Sequence, residues 1–287
     1  MKKVCIVITF FKGGRIQRFK PKKFPRWMNL FVESCKHNPT VDWLIFTDFR
    51  LPKNRADNVK FIKMSLNKFC SLASKKIGFK IRTRCHYKVC DFKPAYGLIF
   101  EDYIKNYDFW GHDDIDKIFG NFRKIITDKL LEKYDVISTE ESKVVGYLTL
   151  FKNNKKVNNT FRQSKDYKRV FQDGKKHYTF DEDGKDIENM TKVVEKMKSK
   201  KKIKYYSKDL TENDVCFWKF RFYWNKGKLI KQSGEYKKGL KKAYKTGEVL
   251  CFHFMFFKNK KGFLNYNFEY DQIPNGFFIT NDGFVKA

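Results

Sequence analysis

The sequence predicts an α/β fold: a central, mostly parallel sheet flanked by helices, with a β-rich extension at the C-terminal end. Three observations lead there. The first is the run Val4-Cys5-Ile6-Val7-Ile8-Thr9-Phe10-Phe11, apolar and rich in β-branched and aromatic residues, which barely alternates. A strand reads this way when both of its faces are covered. The second is the strand, helix, strand, strand rhythm that continues to Met64, the pattern of sheets that bind ligands at the carboxyl ends of their strands. The third is Asn225-Lys226-Gly227-Lys228 between strand-like runs, a hairpin turn in the last quarter.

Each element has its own reason. Val4–Phe11 follows Lys2-Lys3 and could pass for a secretory leader, but it is short and ends in Lys12-Gly13-Gly14-Arg15 without a small-residue cleavage site. A first strand is the expectation. A Gly-Gly break and a basic loop with Pro21 and Pro25 come next. From Trp27 to His37, Leu30, Phe31, Ser34 and Cys35 share a helical face that Asn38-Pro39 brings to a stop. Trp43–Asp48 and Val59–Met64 read as the next strands, and Tyr87–Lys105 as helical with an interruption at Pro94. After a strand over 107–112, a helix is expected over 125–133 and strands over 134–138 and 144–151. Mostly helical segments follow over 155–170 and 186–204, the second rich in lysine with Ile187, Met190, Val193, Val194 and Met197 as its apolar stripe. The hairpin spans 215–230. A basic loop is expected over 231–245, a strand over Val249–Phe257 and a loop-like aromatic tail from Phe263. No internal repeat or linker divides the chain, so one domain over residues 1–287 is expected.

Composition narrows the class. With 41% hydrophobic and 18% aromatic residues over 287 positions, the chain can bury a sizeable core. Its 62 Lys and Arg against 32 Asp and Glu leave a formal charge of +30, which favours phosphorylated ligands, polyanions and anionic membrane surfaces. The seven cysteines form no CxxC pair and mostly sit in apolar runs, as free thiols in a reducing, cytoplasmic compartment would. No stretch reaches the length needed to span a bilayer.

The stretch that carries chemistry is Asn106-Tyr107-Asp108-Phe109-Trp110-Gly111-His112-Asp113-Asp114-Ile115-Asp116. An aromatic run passes through a glycine into clustered carboxylates, whose repulsion in a cleft calls for a cation. Asp114 and Asp116 are two apart, so on an extended backbone they point the same way. They form a pincer for a hard divalent ion. His112-Asp113 has the look of a phosphohydrolase dipeptide. That chemistry needs further ligands on helices, and here the pair lies on a strand, with Asp113 a solvated or supporting neighbour. A second acidic group, Phe180-Asp181-Glu182-Asp183-Gly184, offers a general base for an acceptor hydroxyl, Glu182 first and Asp181 second. An acidic turn before a helix is the plain alternative.

In order along the chain, Ile6–Phe11, Asn38-Pro39 with Leu44–Asp48, Tyr87–Gly97, Asp108–Gly111 through Asp114-Ile115-Asp116, Gly146-Tyr147 through Lys152-Asn153, Phe180-Asp181-Glu182 and Phe252-His253-Phe254 form a set. This set resembles the nucleotide-sugar glycosyltransferases of the GT-A fold with a DxD motif. More narrowly, it is similar to a bacterial and viral family associated with surface polysaccharide assembly.

The resemblance implies a Rossmann-like nucleotide-binding half over 1–120 and an acceptor half with the C-terminal strands over 121–287. It also implies a UDP-sugar donor, Mn²⁺ or Mg²⁺, and transfer of a hexosyl-type group to a glycan or lipid-linked acceptor. Asp116 would bind the metal, Asp114 the ribose or the metal shell, and His253 would be the third ligand, with Lys258 near the diphosphate. A core histidine is the alternative for His253, set in an apolar strand. Thr9, Phe10 and Phe11 would hold the uracil, or simply pack in the core. Lys88 and Asp91, three apart on one helical face, would look toward the donor, or make an intrahelical salt bridge. Gly146 would let the backbone approach the donor sugar.

The enzyme is expected in the cytoplasm, peripheral to an anionic membrane, with the lysine-rich 198–245 segment outside the motif set and no specific nucleic acid as partner. The rival readings are a basic polyanion-binding protein without catalysis and a metal phosphohydrolase or nuclease.

Overall fold

The computed structural model describes residues 1–12, 24–25, 27–52, 56–214, 220–233, 247–260, 273–281 and 283–287. β1 (Val4–Phe10) divides between two cores by its period of two: Val4, Ile6 and Ile8 enter one, Cys5 and Val7 the other. That two-sided burial is why the run does not alternate. α1 (Met28–Lys36) buries Leu30, Phe31, Ser34 and Cys35 as their spacing predicts. β2 (Val41–Thr47) and β3 (Val59–Lys63) follow.

α2 (Leu66–Ile77) occupies a stretch where the sequence reading offers no element. The Ser65 hydroxyl caps it by accepting the Lys68 N–H, and Gly78 at φ +97° ends it in the left-handed conformation. Tyr87–Ala95 is a 3-10 helix that contains Pro94, continued by the short α3 (Tyr96–Ile99) and α4 (Glu101–Ile104).

β4 (Phe109–His112) and β5 (Lys117–Phe119) flank a bend. The helix expected over 125–133 is split into α5 (Phe122–Ile125) and α6 (Asp128–Lys133). Thr127 caps the second of these, its hydroxyl accepting the Leu130 N–H at 3.3 Å. β6 is Val136–Ser138. The strand expected over 144–151 shrinks to β7 (Thr149–Lys152). There the Thr149 hydroxyl folds back, accepting the Val145 N–H at 3.3 Å and donating to the Val145 carbonyl at 2.8 Å, and Leu148 sits at φ 122°.

α7 (Lys155–Asn158), a 3-10 turn over Thr160–Gln163 and α8 (Tyr167–Gln172) fill the polar helical segment. α9 (Met190–Ser199), capped by Asn189, is the middle of the longer helix expected over 186–204. β8 (Tyr205–Ser207), β9 (Thr211–Asn213), β10 (Phe220–Asn225), β11 (Lys228–Ser233), β12 (Gly247–Glu248), β13 (Cys251–His253), β14 (Gly276–Thr280) and β15 (Gly283–Lys286) complete the chain. The strand expected over 249–257 therefore narrows to three residues, because Asp214 Oδ2 accepts the N–H groups of Phe256 at 2.7 Å and Phe257 at 2.6 Å and turns the chain. The tail read as loop ends in two paired strands. The 13–23 break and loop, residues 215–219 of the hairpin with Cys216, residues 234–245 of the basic loop and 263–272 of the tail lie outside the described residues.

The central sheet has the order β3-β2-β1-β4-β7-β6-β8. β3, β2, β1 and β4 run parallel, β7 is antiparallel to both neighbours, and β8 is again parallel to β6. Helices cover both faces, and an antiparallel β12-β11-β10-β14-β15 sheet forms the C-terminal extension. Its hairpin turn has Lys226 at φ 43° and Gly227 at φ 80°, the positive pair that two-residue hairpins require. Trp224 ties this sheet to the rest by stacking on Phe277 and donating from Nε1 to the Phe119 carbonyl. A third, small sheet has the order β5-β13-β9. Among the described residues no helix is long and apolar enough to cross a membrane.

Candidate active site

The bend after β4 and the register of β13 against β5 together make the site. β4 is buried along its length, and residues 113–116 turn out of the central sheet with Ile115 as the buried anchor. The antiparallel pairing of β5 with β13 sets His253 opposite Lys117, one residue beyond Asp116. The Phe254 N–H donates to the Asp116 carbonyl at 3.1 Å and fixes the approach. Asp114, Asp116 and His253 consequently offer one ligand atom each within 4.8 Å of one another. The pair lies in a bend rather than on an extended strand, so tertiary pairing brings the three residues together.

Basic side chains surround the two carboxylates. Asp116 Oδ1 accepts His253 Nε2 at 3.2 Å, and its Oδ2 accepts Lys258 Nζ at 2.5 Å. Asp114 Oδ1 accepts Lys93 Nζ at 2.7 Å. Burial alone would raise the pKa of Asp116, but His253 and Lys258 outweigh it and hold the carboxyl well below the usual range. Burial is likewise outweighed at Asp114, where Lys93 lowers the pKa against the repulsion of Asp116. The Asp114 side chain is 38% exposed and that of Asp116 5%. The cluster therefore opens to solvent on the Asp114 side. His253 Nδ1 is buried without a partner.

Lys93 is the residue that sequence reasoning misses. It is buried and also donates to the Gly146 carbonyl at 2.8 Å and lies 3.7 Å from Asp181 Oδ2. It thus joins the two acidic groups, and Asp114 raises its pKa against the opposing effect of burial. The available signal was a lysine set before proline in a largely apolar run, a charge that needs a buried partner. On its far side the Gly146 N–H donates to Glu182 Oε1 at 3.0 Å. A Cβ on Gly146 would fall 2.3 Å from Asp181 Oδ2 and 2.8 Å from Glu182 Oε1. A side chain here would force one of the protein's own carboxylates to shift. Burial raises the pKa of both Asp181 and Glu182 despite Lys93.

Lys88 and Asp91 have no exposed surface. They form a 2.8 Å ion pair; Lys88 also donates to the Val170 carbonyl at 2.6 Å, and Asp91 accepts the Tyr178 and Phe180 N–H groups. The face expected to look at a donor instead holds the segment that leads into Asp181 and Glu182. At the end of β1, Thr9 Oγ1 is hydrogen-bonded to the Tyr96 hydroxyl at 2.6 Å, and Phe10 stacks on Phe24 and Phe49 with centroids 5.6 and 5.0 Å away. Phe11 is buried against Phe69. His112 is buried, donating from Nδ1 to the Gly146 carbonyl at 3.1 Å; burial and Lys93 lower its pKa to about 3. Asp113, read as a solvated or supporting neighbour, is not solvated: it is buried in an ion pair with Lys117 at 2.5 Å and accepts the Asp114 N–H at 2.8 Å.

No curated protein matches the chain. Among solved structures, the galactosyltransferase LgtC in complex with donor and acceptor sugar analogs aligns with a TM-score of 0.40 at 10% identity, over 88% of this chain and 87% of that one. An active-site mutant of LgtC gives the same figures. The apo-form glycosyltransferase GlyE of Streptococcus pneumoniae TIGR4 aligns with a TM-score of 0.36 at 14% identity, over 72% of this chain and 46% of its own. In sequence, residues 22–287 match the model of a family of unknown function, DUF6625, and the chain belongs to that family.

Proposed function

We propose that the protein is a metal-dependent GT-A-type glycosyltransferase that moves a sugar from a UDP-sugar to a hydroxyl of a glycan or lipid-linked acceptor in surface polysaccharide assembly. The observation that carries this reading is the meeting of Asp114, Asp116 and His253, from separate parts of the chain, at a spot rimmed by two lysines. The residues fit a divalent ion. Two carboxylates and an imidazole are a donor set for Mn²⁺, and oxygen ligands also suit Mg²⁺. Both carboxylates are already held below the usual range, which favours the ionised form that ligands must take. Such an ion, when bound, supplies Lewis acidity to a departing diphosphate.

The remaining roles belong to this chain's own residues. Asp116 and His253 would hold the ion, and Asp114 would meet its shell or the ribose. Lys258, 35% exposed, supplies an ammonium to a phosphate oxygen. Lys93 keeps Asp114 charged and in place. Glu182 takes the acceptor proton: its Oε1 is oriented by the Gly146 N–H, and its raised pKa makes it the stronger base. Asp181 is the alternative base. Thr9, Phe10 and Phe11 border the nucleobase end of β1. Lys88 and Asp91 serve by holding the 178–180 backbone. The +30 charge suits a cytoplasmic enzyme peripheral to anionic lipid. The same charge favours one other reading, a polyanion binder, whose affinity would fall steeply with salt and ignore chelator.

Thermal-shift measurements with a panel of nucleotide sugars, with and without Mn²⁺, test the proposal. Stabilisation by one UDP-sugar only when metal is present is the expected result. No metal-dependent stabilisation by any of them would reject it.

A further inference from the structure

A second cluster of metal-ligating side chains lies on the far side of Lys93. We infer that Asp91, His177 and Asp181 form a second divalent-cation site, for an ion of the zinc or manganese class. The three offer one ligand atom each within 4.8 Å of one another. His177 Nε2 lies 3.6 Å from Asp91 Oδ1 and 4.0 Å from Asp181 Oδ1, too far for good hydrogen bonds. An ion with tetrahedral bonds of about 2.1 Å sets its ligands about 3.4 Å apart, so the two imidazole-to-carboxylate distances would close by about 0.2 and about 0.6 Å to hold one here.

Two further observations point into this gap. Asp181 is 2% exposed, and both its Oδ1 and His177 Nε2 are buried without a hydrogen-bond partner. Buried polar atoms of this kind call for an unseen partner. The lysines, moreover, sit on the other oxygens: Lys88 contacts Asp91 Oδ2, and Lys93 approaches Asp181 Oδ2. Of the two Oδ1 atoms that face the imidazole, that of Asp181 has no other partner, while that of Asp91 also accepts the Phe180 and Tyr178 N–H groups. Asp91 Oδ1 is oriented by the Phe180 N–H at 2.9 Å, the kind of supporting bond that ligating carboxylates have. His177 is 22% exposed at its side chain and packs edge-on against the exposed Tyr87, which gives the site a route to solvent.

The ion would pin the 177–182 segment to the 3-10 helix over Tyr87–Ala95. It would also occupy Asp181, leaving Glu182 as the only acceptor-side base, a consequence that rests on the glycosyltransferase reading while the site itself does not.

The test is calorimetric titration of the untagged, chelator-stripped full chain with Zn²⁺ alone and with Mn²⁺ alone. Wild type is expected to take up two equivalents, His177→Ala and Asp181→Asn one, and Asp116→Asn the other one. His177→Ala removes a partly exposed ring and so should remain folded, and Asp181→Asn is nearly isosteric. If His177→Ala and Asp181→Asn bind as many ions as wild type, the gap holds water and the inference is overturned. A single wild-type equivalent that disappears in Asp116→Asn also overturns it and leaves the first site standing. The reverse pattern, loss in His177→Ala with Asp116→Asn unchanged, supports this site and removes the other.

Discussion

Asp114 and Asp116 on one side of Lys93, and Asp181 and Glu182 on the other, are two carboxylate pairs bridged by one ammonium through Asp114 and Asp181, yet their pKa values are shifted in opposite directions. Burial pushes all four upward. In the first pair it loses, because His253 and Lys258 come from 137 and 142 residues away to meet Asp116. In the second pair it wins, because Lys93 stands 3.7 Å from Asp181 and the two acids repel one another. Oxygens held ionised suit a metal, and a carboxylate pushed upward suits a proton. On the proposed reading, the two halves of a transfer reaction, holding the leaving group and activating the acceptor, would be set up by one functional group in two surroundings.

The contrast also fixes the pH signs. Asp114 and Asp116, depressed in the folded state, contribute stability above about pH 4 that is lost as pH falls through their folded values. Asp181 and Glu182, raised, contribute stability below about pH 4 that is lost as pH rises through theirs.

Three substitutions sharpen or break the comparison. Glu182→Gln keeps the shape and removes the base, and should lower kcat by about 10²–10⁴-fold with donor affinity unchanged. Steady-state kinetics beside donor titrations would show it, and an unaltered kcat would place the base elsewhere. Lys93→Met strips both clusters of their shared cation and should cost about 3–5 kcal/mol in urea unfolding. That loss should shrink as pH is lowered, because the stranded carboxylates can then take up protons. A pH-independent loss would point to packing alone. Lys258→Ala, at the partly exposed rim, should weaken UDP binding in the presence of Mn²⁺ by about 10-fold, or 1.4 kcal/mol. Unchanged UDP affinity would remove Lys258 from the diphosphate.

Much of the fold can be read from local pattern. β1, β2, β3 and α1 declare themselves through apolar runs and helical spacing, and Asn225–Lys228 through turn chemistry. The α2 signals were present as well, in the Ser65 cap, the Phe69, Cys70, Ala73 and Ile77 spacing and the Gly78 stop. What local pattern does not carry is tertiary. Residues 144–148 have strand-like composition and are turned by one threonine hydroxyl. The three-residue β13 ends where Asp214, distant in sequence, captures two N–H groups. Asp114 and Asp116 could be singled out because like charges two apart need a cation. Lys93 could not be given its role, since its partners at 114, 146 and 181 come together only in the folded chain.

The proposed grip on an ion is tested most directly by titrating UDP into wild type and into Asp116→Asn, each with Mn²⁺ and again with excess chelator. The account predicts wild-type binding that chelator abolishes, and in Asp116→Asn a loss of more than about 100-fold, beyond what losing a ligand's supporting partner costs, with the unfolding transition still cooperative. UDP affinity that is equal in the two proteins, or indifferent to chelator, would contradict it.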